Sequence, residues 1–177
     1  MAEKTVEQKI ESALERPLSV CFVCTGNTCR SPMAAAVLND MARIPPVCSM
    51  CDMERLLNAK RIRAVSAGLY ATGAPIAENA AAALEAAGIR SLPDNDYRAH
   101  LSRNLTLEMM ESYDRIIGMT SSHAMSLISA FPSYAGKISC MPRDIPDPFG
   151  GDEAAYRACL AEIERGIGEL FFSEDEA

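Results

Sequence analysis

Short apolar runs and longer amphipathic stretches alternate along this chain, and their spacing predicts its secondary structure. Val6, Ile10 and Leu14 recur every four residues ahead of Pro17, the pattern of a short amphipathic helix that stops at the proline. Residues 1–17 are thus read as an accessory helix and 18–177 as a single domain. Val20, Cys21, Phe22 and Val23 suit a buried strand, and Pro32-Met-Ala-Ala-Ala-Val-Leu opens a helix from about Ser31 to Ala42 that Ile44-Pro-Pro-Val breaks. Ile62–Gly68 reads as a second strand, and the alanine-rich stretch Pro75–Ala87 as a helix ended by Gly88. Thr106 caps a short helix to Ser112, Asp114–Met119 is a third strand, Ser121–Phe131 a helix before Pro132, and Lys137–Met141 a fourth strand. Ala155, Leu160, Ile163, Ile167 and Leu170 then fall at helical spacing within Glu153–Phe172.

Strand–helix alternation of this kind predicts an α/β fold of three layers: a doubly wound four-stranded parallel sheet with helices on both faces. Such sheets bind ligands beyond the C-terminal ends of their strands. The first strand ends there in Val20-Cys-Phe-Val-Cys-Thr-Gly-Asn-Thr-Cys-Arg-Ser-Pro32. Backbone N–H groups of a turn leading into a helix converge on an anion, Gly26 lets the chain curl, and both features fit a phosphate. A thiol at Cys24 in the centre of that turn is expected to favour its thiolate, because a helix N-terminus and Arg30 stabilise negative charge. Arg30 also matches two phosphate oxygens at once. The segment has neither the Gly-Lys-Ser/Thr of a Walker loop nor the three spaced glycines of a dinucleotide loop.

Composition narrows the partners. A formal net charge of −7 and a sequence pI near 4.9 argue against nucleic acid and anionic membranes. Met1-Ala-Glu-Lys lacks the basic start and apolar centre of a signal peptide, so the expected location is the cytoplasm. Seven cysteines, an odd count, fit free thiols in a reducing compartment. Cys48 and Cys51 have the spacing of half a zinc site, yet no second pair completes it, so no metal and no cofactor is expected. For the two histidines, His100 and His123, a surface or hydrogen-bonding role is the default.

Cys24-Thr-Gly-Asn-Thr-Cys-Arg30-Ser-Pro resembles the signature of the low-molecular-weight protein tyrosine phosphatases, and Asp147-Pro-Phe-Gly-Gly resembles their Asp-Pro loop. The likeness covers most of residues 18–172 and leaves about 44–60 as an insertion. It implies a metal-independent phosphatase acting on phosphorylated proteins or peptides. Cys24 is the implied nucleophile, Thr25, Gly26, Asn27, Thr28, Cys29 and Arg30 the phosphate cradle, and Asp147 the general acid. Phe149 and Thr28 are implied to flank the substrate, Ser31, Ser66 and His100 to support Asn27, and Cys29 to partner Cys24 in oxidation. Asn27 also suits a positive φ on its own chemistry. Gly150 departs from the family, many of whose members carry a second aromatic residue there.

Rival functions meet specific objections. An arsenate reductase of similar fold needs relay cysteines, and residues 69–139 contain none. A phosphocarrier or a non-catalytic phosphate-binding module needs no paired acid, whereas Arg30 and Asp147 are both present. Thr28, where most tyrosine-specific members carry an aliphatic residue, resembles the bacterial protein-arginine phosphatases, as does the run through Met33. Phosphoarginine is therefore favoured over phosphotyrosine, the alternative.

Overall fold

The computed structural model describes residues 16–43 and 61–172. The expected N-terminal helix, the stretch 44–60 and the Cys48/Cys51 pair fall outside those residues. Four strands, β1 (Leu18–Cys24), β2 (Ile62–Gly68), β3 (Arg115–Gly118) and β4 (Ile138–Cys140), form one sheet. Every pairing is parallel and the order is β2-β1-β3-β4. The chain leaves β1 for one edge of the sheet and returns for the other, so the switch point lies between β1 and β3. The C-terminal end of β1, where Val23 pairs with Gly118, therefore stands at the crevice that this reversal opens.

Burial explains the layers. On one face Val20, Phe22 and Ile117 pack against α1 (Arg30–Met41), α2 (Glu78–Ala86) and α5 (Glu153–Phe171). On the other, Cys21, Val23, Ala67, Ile116 and Ile138 meet Met110 of α3 (Leu107–Ser112) and Ala124 and Leu127 of α4 (Ser121–Ala130). Residues facing alternate sides of β1 are thus all covered, which is why the strand reads as a continuous apolar run. Helix α1 is buried from Arg30 through Leu38. Its small alanines allow the close approach of sheet and neighbouring helices that a polar face would prevent.

Two boundaries differ instructively from the sequence expectation. Helix α2 starts at Glu78 instead of Pro75, because Ala77 N–H bonds Thr28 O at 2.8 Å and Pro75 bridges Leu101. The chain before α2 bonds the turn that follows β1 instead of extending the helix. A 3₁₀ turn, Pro132–Lys137, intervenes between α4 and β4, where Pro132 at its start forbids continuation of the α-helix. Thr106 and Asp152 cap α3 and α5 by accepting from Met109 N and Ala155 N. No helix among the described residues is long and apolar enough to cross a membrane.

Candidate active site

Cys24 ends β1, and the turn Thr25–Cys29 carries the chain into α1. The Cys24 side chain is buried. Its Sγ accepts from Asn27 N at 3.3 Å and lies 3.0 Å from Ser31 Oγ. The turn therefore wraps around the sulfur. Asn27 has a φ of 57°, a left-handed conformation that lets consecutive N–H groups point into the curl.

What holds Asn27 there is a frame of side chains. Its Nδ2 donates to Ser31 Oγ at 3.0 Å and Ser66 Oγ at 2.9 Å. Oδ1 accepts from Arg103 N at 2.9 Å, and the carbonyl oxygen meets His100 Nε2 at 2.8 Å. The four groups come from α1, β2 and the segment ahead of α3, so the frame exists only in the folded chain. Gly68 completes it: a Cβ there would come within 2.8 Å of Thr25 O and 3.0 Å of Asn27 Cβ. Burial holds the His100 pKa below its ordinary value, assisted by the Arg103 charge and opposed by the bond to Asn27.

Ser31 has one proton and two calls on it. Ser31 Oγ lies 3.2 Å from Ala67 O and 3.0 Å from Cys24 Sγ. When the sulfur is anionic, the hydroxyl gains by donating to it, since a hydrogen bond to a charged acceptor is the stronger one.

Arg30 opens α1 with its side chain 7% exposed. Its Nη2 donates to Asp147 Oδ2 at 2.6 Å and its Nη1 to Ile145 O at 3.4 Å. Cys24, Thr25, Gly26, Thr28, Cys29, Arg30, Asp147 and Phe149 thus line one pocket of about 210 Å³. Asp147 is half exposed, and Phe149 lies 78% exposed at the mouth. Beneath the loop, Cys29 Sγ meets Tyr156 OH at 3.3 Å, with Thr28 Oγ1 3.6 Å away. Burial raises the Tyr156 pKa, with Cys29 adding to it. The Cys159 thiol, one helical turn on, is pushed up to about 12 mainly by burial.

One neighbour of the pocket was not marked by the sequence. His123 is buried, its Nε2 is 3.0 Å from Thr25 Oγ1, and its Nδ1 is 2.6 Å from Thr120 Oγ1. Burial lowers its pKa, and the Arg30 charge adds to that effect while Asp147 and Asp144 oppose it. The available signal was positional: Thr120 caps α4 just after β3, so the third residue of that helix stands at the same sheet edge as Cys24.

Comparisons agree with this architecture. The sequence profile of the low molecular weight phosphotyrosine protein phosphatases matches residues 19–176, and the chain belongs to that family. A protein-arginine-phosphatase of Geobacillus stearothermophilus is 34% identical over 162 residues, 87% of this chain and 94% of that protein. The low molecular weight protein-tyrosine-phosphatase Etp of Escherichia coli K12 is 30% identical, over 85% of this chain and 90% of its own. Among solved structures, a low molecular weight protein tyrosine phosphatase from T. tengcongensis superposes with a TM-score of 0.71 at 32% identity, covering 86% of this chain and 97% of that one.

Proposed function

We propose that this protein is a cysteine-dependent phosphatase that removes phosphate from arginine side chains of proteins. The observation that carries the reading is a buried sulfur encircled by the phosphate loop, with Arg30 and Asp147 paired on the same pocket. The Cys24 thiolate attacks phosphorus in line. As the S–P bond forms and the bond from phosphorus to the substrate breaks, loop N–H groups and Arg30 hold the equatorial oxygens. An incoming phosphate would take Nη2 of Arg30 from Asp147, freeing the carboxyl group to face the leaving atom. Protonated Asp147 gives its proton to that atom. Its carboxylate then takes a proton from the water that cleaves the phosphocysteine, and the thiolate leaves, stabilised by Ser31 Oγ and Asn27 N–H.

Two features favour arginine. Thr28 lines the pocket with a polar β-branched side chain, where an aliphatic residue would suit the face of a phenol ring, and a guanidinium leaving group suits the Asp147 carboxylate. The similar Geobacillus protein is named for phosphoarginine, while the Escherichia relative keeps phosphotyrosine as the second reading. Turnover of matched phosphoarginine and phosphotyrosine peptides by wild type and Thr28→Ile tests the choice. Ile should shift the ratio of kcat/KM towards phosphotyrosine by about 1–3 kcal/mol of discrimination, the range for a lost hydrogen bond in a pocket. An unchanged ratio, or a wild type that already prefers phosphotyrosine, returns the assignment to that substrate.

A further inference from the structure

Behind the phosphate loop lies a second cleft of about 230 Å³ that shares no lining residue with the Cys24 pocket. It runs along the outer edge of β2, between α1 and the segment that carries residues 93–103. Most of its polar groups are already engaged. Asn39 bonds Ala64 through both of its amide atoms, at 3.0 and 2.8 Å. Asn95 donates to Ala36 O at 2.9 Å, and Tyr97 OH to Ile89 O at 2.7 Å. The two carboxylates are held as well, Asp94 by Arg43 at 3.5 Å and Asp96 by Ser91 Oγ at 2.7 Å and Ala99 N at 3.2 Å.

The cations are different. Among the described residues the Arg63 guanidinium has no hydrogen-bond or ion-pair partner, and Arg103 commits only its Nε, to Ser66 O at 3.2 Å. Two guanidinium groups with donors to spare therefore flank one concave space, in a chain whose net charge is −7. With Asp94 offset by Arg43, these two cations face, among the described residues, the single unpaired carboxylate of Asp96, which leaves the cleft with a small positive excess on an otherwise acidic chain. A planar guanidinium with free Nη groups is suited to two oxygens of one phosphate or carboxylate.

We propose that this cleft is a second anion site, and that its ligand is a small polyanion bearing two or more phosphate or carboxylate groups. Two guanidinium groups call for more than one anionic group, and the volume suits a metabolite larger than a single phosphate. The acidic surface beyond the cleft disfavours a long polyanion such as nucleic acid. The wall of the cleft is also the frame of the phosphate loop: Arg103 N holds Asn27 Oδ1, Ser66 Oγ accepts from Asn27 Nδ2, and His100 meets the Asn27 carbonyl. A ligand seated on Arg103 thus reports directly to the backbone that binds the reacting phosphate. This site stands independently of which phosphorylated side chain the enzyme hydrolyses.

Titration of the full ¹⁵N-labelled chain with inorganic pyrophosphate, followed by amide shifts, tests the assignment. Residues 24–30 should respond to pyrophosphate in the Cys24 pocket. A second saturable set, with its own midpoint, should appear at 63–66, 94–97 and 103. Arg63→Gln should weaken the second midpoint about tenfold, as expected for one charge-assisted contact, and leave the first in place. Arg63→Lys should recover part of the loss. Shifts confined to 24–30 and 147–149, or a second set that Arg63→Gln does not move, overturn the proposal. A second set without the first would instead count against the phosphatase reading of the Cys24 pocket and leave the cleft standing.

Discussion

Asn27→Ala isolates the cost of the frame around the turn that wraps Cys24. The side chain is fully buried and makes three hydrogen bonds, to Ser31 Oγ, Ser66 Oγ and the Arg103 amide. Truncation leaves the Arg103 N–H without its acceptor and two hydroxyl oxygens without a donor. At about 1–3 kcal/mol for an orphaned buried group and about 1 kcal/mol for an ordinary hydrogen bond, the expected destabilisation is about 3–5 kcal/mol. For a chain of 177 residues that corresponds to a fall in Tm of roughly 6–20 °C, at about 2–4 °C per kcal/mol. Asn27→Gly loses the same bonds but relieves the left-handed backbone at φ 57°. Glycine should therefore be the more stable variant by about 1 kcal/mol, which reverses the usual order of alanine and glycine outside such conformations. Denaturant unfolding of the three proteins, with phosphate turnover measured alongside, supplies the check. An alanine variant within about 0.5 kcal/mol of wild type, or more stable than the glycine variant, would refute the frame as the determinant of the loop.

Three further outcomes are expected. Asp147→Asn should slow turnover of substrates with poor leaving groups by about 10²–10⁴-fold, and acidic leaving groups should suffer less; single-turnover rates showing equal losses would remove Asp147 as the acid. Mild peroxide should oxidise Cys24 to a sulfenic acid that the Cys29 thiol converts to a disulfide with loss of water, reversible by dithiothreitol; peptide mapping that finds Cys24 overoxidised beside a free Cys29 would exclude this. His100 has a folded pKa below its unfolded value of about 6.5, so the unfolded chain binds more protons as pH falls and stability declines below that pH; His100→Gln should flatten the dependence of Tm between pH 7.5 and 5, and an unaltered slope would assign it elsewhere.

The strand–helix order was legible in the sequence, and so were Cys24, Arg30 and Asp147 as candidates that the fold brings to one pocket. Ile62–Gly68 is a strand with the expected bounds because its apolar run is closed by a glycine at a forced close approach. The helix at 78–86 begins three residues after the expected Pro75, since the Ala77 amide is taken by Thr28 O, a contact between segments far apart in the chain. His123 and Tyr156 stayed hidden for the same reason. One lies in α4 and the other in α5, and only the sheet order brings them to Thr25 and Cys29. Helix periodicity marked Leu160, Ile163 and Ile167 as core, but it carries no information about which buried polar atom faces a loop made 127 residues earlier.

The position of β1 between β2 and β3 has a kinetic consequence. A loop anchored to an interior strand and to the buried start of α1 has no local route to open, because releasing it exposes Phe22, Met33 and Leu38 together. The hydrogen-bonded amides of β1 that flank it should exchange with deuterium only through events close to global unfolding, whereas the loop with Asp147 and the exposed Phe149 belongs to the shallow, rapidly exchanging class. Heat would then destroy the turn around Cys24 and the fold in one transition, while the loop with Asp147 samples many arrangements over an unchanging sulfur.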